Sequence, residues 1–415
     1  MHYSYLPQTD PVVFDLIRAE EQRQFEGLEL IASENYASPA VLEAMASVFN
    51  NKYSEGYVGK RYYAGNQIVD KIESLAIERA KELFGAEHVN VQPLSGSPAN
   101  LAVYCALLEP GDKVLGLKLD HGGHLSHGHP VNFTGRTYNF VQYTVSAENG
   151  RIDMNEVREI ALREKPKMIV AGFSAYSREL EWDKFKQIAD EIGAITFADI
   201  AHIAGLIAGK QLANPVSLFD IVTTTTHKTL RGPRGALIMC KEKFAKKINR
   251  AVFPGLQGGP HEHVIAAIAV ALGEALAPEF QEYSKKVIQN AKTLATELIK
   301  HGFKIVSDGT DNHLCVVDLR SKNCAGFAVS EALDKVGLST SMSTVPFDPN
   351  PPMKPSGIRL GTAAITTRGL GEVEIKQIAE WINTVAENLD NESLFEKIQK
   401  EVKAMASKFP VPGVE

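Results

Sequence analysis

The chain is expected to fold as an α/β protein around a large, mostly parallel sheet, and three observations carry that expectation. Short apolar runs recur through the middle: DKVLGLKL (112–119), KMIVAGF (167–173), AITFAD (194–199) and FDIVTTTT (219–226). The stretches between them are long enough for a helix each, the pattern of strands joined by helical crossovers. From about Pro278 the texture changes to long amphipathic segments around one strand pair, which marks a smaller C-terminal α+β domain.

The elements follow in chain order. Residues 1–30 read as an N-terminal arm, 31–277 as the large domain and 278–415 as the small one. Ile68, Ile72, Leu75, Ala76 and Leu83 recur at helical spacing, and Gly85 is a stop signal. In LSGSPANLAVYCALL (94–108), Ser97 is the expected helix N-cap and Pro98 suits the first turn. GALIMCK (235–241) predicts one more strand. A helix is predicted over 279–300, two strands around a polar turn in KIVSDGTDNHLCVVDL (304–319), and helices over 371–389 and 393–407.

Composition bounds the function. With 415 residues the chain can bury a substantial core. Its net charge of −6 gives no reason to expect nucleic acid. No stretch reaches the roughly 18 apolar residues of a membrane span, and MHYSYLPQTDP lacks the regions of a secretory signal. Cys105, Cys240, Cys315 and Cys324 form no CxxC pair and read as reduced, consistent with the cytoplasm.

Four stretches carry chemistry. TTTTHKTLRGPRG (223–235) places Lys228 at the exit of a β-branched strand, before a turn constrained by Gly and Pro; a solvated basic loop is the plain alternative. Ser95, Gly96 and Ser97 would present hydroxyls and free N–H groups at the positive end of a helix, a seat for phosphate. Asp199 ends the strand of AITFADIAHIAGL, where α/β sheets bind ligands, or else it caps the turn that follows. HGGHLSHGH (121–129) offers four imidazoles, but its adjacent glycines and lack of acids argue against a closed zinc site, so no metal is expected. A histidine stacked on a flat cofactor is the functional alternative to surface histidines. Taken together, a reactive lysine, a buried acid and a phosphate seat suggest pyridoxal 5'-phosphate, bound covalently to Lys228.

Over nearly its whole length the chain resembles the serine hydroxymethyltransferases, fold-type I pyridoxal phosphate enzymes. The matching motifs are LIASENYASP, NKYSEGYVGKRYY, LSGSPAN, HGGHLSHG, FSAYS, ADIAHIAGL, TTTTHKTLRGPRG, FPGLQGGP and PSGIRLGT. The resemblance implies Lys228 as the cofactor lysine with His227 tuning it, and Asp199 as partner of the pyridine nitrogen. It implies His124 as the stacking ring, Ser174 and His202 near the cofactor hydroxyl, and Thr225 and Ser95–Ser97 among the cofactor contacts. Arg359, assisted by Ser33, would take the substrate carboxylate. Glu55 would act as acid–base, with Tyr53, Tyr63 and Gly259 at a site shared between subunits. Leu119, Gly123 and Leu125 would line the folate site.

The same resemblance implies interconversion of serine and glycine with tetrahydrofolate as co-substrate, in a homo-oligomer of at least two subunits. Departures cluster near folate. Ser343 and Met342 replace an Asn and a Lys, Pro351-Pro352-Met353 replaces Ser-Pro-Phe, and Pro98 replaces a frequent Gln. A folate-independent β-hydroxy amino acid aldolase or transaldolase on the same lysine is the competing expectation.

Overall fold

The computed structural model describes residues 3–414; Met1, His2 and Glu415, at the outer limits of the expected arm and small domain, lie outside the described residues. Ala40–Lys285 forms one compact unit, and the segment ending at Pro39 joins the stretch from Lys286 onward in the other. Composition places limits at 30/31 and 277/278, whereas the units part at 39/40 and inside the helix Pro278–Lys300. A helix that continues through a boundary offers no change of texture to mark it.

The larger unit carries seven strands: β1 (His88–Asn90), β2 (Lys113–Leu117), β3 (Asn139–Tyr143), β4 (Met168–Gly172), β5 (Ile195–Asp199), β6 (Ile221–Thr225) and β7 (Ala236–Cys240). Their order is β1-β7-β6-β5-β4-β2-β3. From β6 to β3 all neighbours run parallel, while β7 is antiparallel to both β6 and β1. The mostly parallel sheet is therefore as expected. Strands β4, β6 and β7 are buried along their whole length, which explains their continuous apolar or β-branched runs. Edge strand β3 is largely half-exposed, so NFVQY carries no such signal and sequence reasoning missed it. It missed β1 too, a strand of only three residues.

Helices cover this sheet. Gly96–Leu107 packs Ala99, Val103 and Leu107 into a core with Val114, Met168, Val170, Phe197, Ile221 and Ile238. Gln67–Phe84 ends at Gly85, whose φ of 71° is the left-handed conformation that favours glycine at a helix end. One expectation is corrected: the helix N-cap is Ser95, not Ser97. Ser95 is fully extended, and the backbone is already helical at Gly96, so Ser97 and Pro98 both lie inside the first turn.

The smaller unit is built on an antiparallel sheet of β8 (Lys304–Ile305), β9 (Leu314–Asp318), β10 (Ser341–Ser343) and β11 (Gly357–Gly361), in the order β8-β9-β11-β10. Leu28–Glu29 pairs in parallel with Leu338–Ser339, which fastens the N-terminal segment to this unit. The core gathers Leu28, Leu30, Leu298, Val317, Leu333, Ile358, Leu360 and Ile382. Arg368 adds a polar clamp: its guanidinium donates to the carbonyls of Gln24, Phe25, Gly27, Ala406 and Phe409. The predicted last helices are Glu372–Glu387 and Glu392–Ala406.

Candidate active site

β5 and β6 run parallel, with Asp199 opposite Thr223 in register, so both strands deliver polar groups to the same edge of the sheet. Asp199 is buried, and both of its oxygens are occupied. Oδ1 accepts the Ala201 N–H at 3.1 Å, so the capping role weighed from sequence is real. Oδ2 accepts the Asn100 amide at 2.8 Å and lies 3.0 Å from His127 Nε2. Burial would raise this carboxyl, but the His127 hydrogen bond, the His127 and His124 charges and the Asn100 amide outweigh it. Asp199 is held well below the usual carboxylate range and is anionic at neutral pH.

Asn100 is the hub of this network. It donates to Ser126 Oγ at 2.9 Å and accepts the Thr223 hydroxyl at 2.7 Å. Ser126 Oγ in turn lies 2.7 Å from His124 Nδ1. The donor atoms of His124, His127 and Asp199 all fall within 4.8 Å of one another, a spacing that could hold a metal. Hydrogen bonds already account for each of these groups.

Lys228 lies three residues beyond β6, and its Nζ donates to Thr225 Oγ1 at 3.2 Å. Thr225 Oγ1 also reaches the Ala201 carbonyl, which ties the lysine to the turn after Asp199. A Cβ at Gly96 would lie 2.8 Å from Thr225 Cγ2, so only glycine lets the helix N-terminus approach this strand so closely. Gly96 and Lys228 thereby both lie against Thr225, with Ser95 and Ser97 flanking Gly96 in the chain. The neighbouring His227 imidazole is pushed down to about 3, chiefly by burial and then by the charges of Lys228 and Arg234. It is a neutral ring whose buried Nδ1 has no partner among the described residues. The turn that follows is packed rather than solvated, with the Arg231 guanidinium 4.2 Å over the Tyr283 ring.

The HGGH turn and the FSAYS segment are joined by the Ser174 N–H, which donates to the Gly122 carbonyl at 2.8 Å. His202 is buried, its carbonyl accepting the Thr229 hydroxyl at 2.9 Å, and its ring stacks near Phe173. Leu119 opens the short helical turn Leu119–His121, and Leu125 is exposed beyond it. At Gly123 a Cβ would press on the Leu117 and Lys118 carbonyls.

A second cluster lies on the same unit. Tyr53 and Tyr63 meet edge to face at 5.1 Å. A Cβ at Gly259 would lie 3.3 Å from the Tyr53 ring, and one at Gly258 would lie 3.2 Å from Glu55 Oε1. The charge of Glu55 is the first cause that raises the Tyr63 phenol. Ser54, between Tyr53 and Glu55, donates to Glu262 Oε1 at 2.6 Å.

In the smaller unit Arg359 sits on β11, and its Nη2 lies 3.5 Å from Ser33 Oγ. Burial lowers its guanidinium to about 10, so it is cationic at neutral pH. Ser343 ends β10, and its hydroxyl donates to the Thr344 carbonyl at 3.0 Å.

Sequence reasoning missed Asn100, Ser126 and Thr223 as supports of Asp199, and Glu262 altogether. Asn100 has a signal in hindsight, because it lies one helical turn after Ser97 on a helix aimed at the sheet edge. Glu262 has none, since its partner Ser54 is remote in sequence.

Comparison with known proteins identifies the family of the chain. The family model described as serine hydroxymethyltransferase matches residues 6–382. A serine hydroxymethyltransferase of Acidothermus cellulolyticus is 56% identical over 416 aligned positions, covering 99% of this chain and 97% of that protein. One from Desulfotalea psychrophila is 53% identical over 410 positions, covering 99% and 96%. The chain belongs to the serine hydroxymethyltransferase family.

Proposed function

We propose that the protein transfers the hydroxymethyl carbon of L-serine reversibly to tetrahydrofolate, giving glycine and 5,10-methylenetetrahydrofolate, with pyridoxal 5'-phosphate seated at the ends of β5 and β6. The observation that carries this reading is Asp199, a buried carboxylate held anionic at the end of β5, with Lys228 and Gly96 both set against Thr225 on the adjoining strand β6.

The residues fit that cofactor. The missing side chain at Gly96 lets the N-terminus of helix Gly96–Leu107 lie close against Thr225, and a helix N-terminus is suited to a phosphate. Asp199 supplies a fixed negative charge for a protonated ring nitrogen, kept ionised chiefly by His127 and further by Asn100. Lys228 Nζ, held by Thr225, is the group to bond the cofactor aldehyde. Bound there, pyridoxal phosphate supplies an electron sink for negative charge at the α-carbon of the amino acid. His227, kept neutral, adds no second positive charge beside the lysine. Arg359, with Ser33, offers a fork for the substrate carboxylate. Glu55 is the group to hold or move the proton, help typically worth about 10²–10⁴ in rate.

The site is shared between two copies of the chain in this reading. Tyr53 and Tyr63 pack edge to face beside Gly259, with Glu55 beside Gly258, and Tyr53, Tyr62 and Tyr63 are all exposed. Exposed aromatic side chains of this kind suit a subunit interface. Among the described residues, no single helix is long and apolar enough to cross a membrane. Four free thiols suit a cytoplasmic setting.

A second reading, a folate-independent aldolase or transaldolase, is favoured by one observation: the Ser343 hydroxyl is spent on its neighbour's carbonyl where the family presents an amide. The test is serine-to-glycine conversion with and without tetrahydrofolate, beside Lys228→Ala. Folate-stimulated turnover that Lys228→Ala abolishes, along with the visible absorbance of the bound cofactor, supports the first reading. Efficient exchange of a free aldehyde without folate stimulation supports the second.

A further inference from the structure

The segment Tyr53-Ser54-Glu55-Gly56 is fixed from beneath by buried groups. Ser54 is fully buried, and its hydroxyl donates to Glu262 Oε1 at 2.6 Å. The carbonyls of Ser54 and Gly56 accept from Arg61 Nη1 at 2.8 and 3.0 Å, and Gly56 accepts from Gln92 as well. Arg61 is anchored in turn on Asp70 and Glu73. Glu55 therefore projects from a backbone pinned on both sides. Glu262 stands at the start of the helix Glu262–Ala275, just after Gly258 and Gly259, the two residues that abut Glu55 and Tyr53. It is 1% exposed, and its Oε2 has no partner among the described residues. A buried carboxyl with one oxygen on a serine and the other unpaired is costly for packing alone. It earns its place by joining the two segments that frame the site.

We propose that Glu262 is a positioning residue for the transfer reaction, which sets Tyr53 and Glu55 against Gly258–Gly259 through its hydrogen bond to Ser54. This rests on the reading above that places Tyr53 and Glu55 in the active site. Burial pushes the Glu262 carboxyl up to about 7, so near neutral pH much of it is uncharged and only its acceptor oxygen is needed by Ser54. The side-chain carbonyl of a glutamine offers the same acceptor.

The test uses the full-length holoenzyme with serine and tetrahydrofolate. Glu262→Ala removes the acceptor and frees Ser54, so kcat falls about tenfold, the worth of roughly one hydrogen bond, while KM for serine stays within about twofold. Glu262→Gln restores kcat to near the unsubstituted level. Glu55→Gln, run in parallel, reports on the underlying reading. If Glu55→Gln keeps full turnover, the segment is not in the site and that reading fails. If Glu55→Gln is inactive while Glu262→Ala keeps its kcat, or if Glu262→Gln is as impaired as Glu262→Ala, the positioning role is wrong. Circular dichroism and the cofactor absorbance establish that each variant is folded. Should Glu262→Ala not fold, Ser54→Ala replaces it, with the same kcat loss expected and an unchanged kcat overturning the role.

Discussion

Asn100 holds Asp199 through a 2.8 Å hydrogen bond from its amide to Oδ2, and the same side chain accepts the Thr223 hydroxyl at 2.7 Å. Helix Gly96–Leu107 thus supplies two things at one end of the sheet: N–H groups at its first turn and, one turn later, an amide that adds to the larger effect of His127 in holding the Asp199 carboxyl down. A hydrogen bond to a charged group contributes about 1.5–3 kcal/mol. Asn100→Ala should therefore weaken cofactor retention about tenfold or more. Asn100→Asp should do worse, because two adjacent carboxylates cannot both ionise and Asp199 would share a proton. Titration of the cofactor-free variants with pyridoxal phosphate, followed by absorbance, checks both. Unchanged affinity in Asn100→Ala would remove Asn100 from the site.

Much of this arrangement is legible in the sequence because it is local. Asp199, Lys228 and Ser95–Ser97 all lie at ends of strands or helices, and buried parallel strands announce their ends with unbroken apolar or β-branched runs. What is not legible is what crosses between segments. Nothing in SPAN says that Asn100 reaches Asp199, and nothing in GGPHEH says that Glu262 meets Ser54. Register along a helix is equally hard to read. Ser95 and Ser97 are both good caps, and the extended backbone at Ser95 decides between them.

Glu262 should make stability fall as pH rises. Its folded carboxyl is pushed up to about 7 by burial, against roughly 4.3 for an unfolded glutamate. Between those values the folded chain binds more protons than the unfolded one, so its stability decreases with pH, and the cost is complete above about 7. Ser54 and Arg61 act against the shift, while Glu73 and Asp70 add to it. Burial raises Glu73 as well, so that share of the slope remains in any Glu262 variant. Glu262→Gln should melt higher than the unsubstituted protein at pH 8 and close to it at pH 4.5. Asp199 works in the opposite sense: its carboxyl is depressed on folding, so its contribution is present above about pH 4 and is lost on acidification. Equal melting temperatures for Glu262→Gln and the unsubstituted chain at pH 8 would contradict the shift.

Arg359 should govern amino-acid binding rather than cofactor binding. Burial lowers its guanidinium only to about 10, so it stays cationic through pH 8 and its contribution should not titrate there. Arg359→Ala removes a charge-assisted contact of about 1.5–3 kcal/mol, which corresponds to roughly 10- to 150-fold in serine affinity. Arg359→Lys keeps the charge but loses the fork, so it should recover only part. Serine binding, followed through the cofactor spectrum between pH 6.5 and 8, measures both effects. Normal serine affinity in Arg359→Ala would place the carboxylate elsewhere.

The shared site can be tested without a structure of the oligomer. Lys228 belongs with Asp199 and the Gly96 helix, whereas Glu55 belongs with Tyr53, Tyr63 and Gly259 on the exposed aromatic face. If each site draws the first group from one copy and the second from another, the two defects separate when subunits mix. Lys228→Ala and Glu55→Gln are each expected to be inactive alone. After unfolding and joint refolding at equal amounts, about half of the dimers are mixed, and each mixed dimer holds one site with both groups intact. About a quarter of the unsubstituted activity should return. A double variant, refolded with unsubstituted chains, provides the control, because there the defects cannot separate into an intact and a doubly impaired site. If verified mixed dimers of the two single variants remain inactive, each chain supplies its own Glu55 and the shared-site reading is wrong.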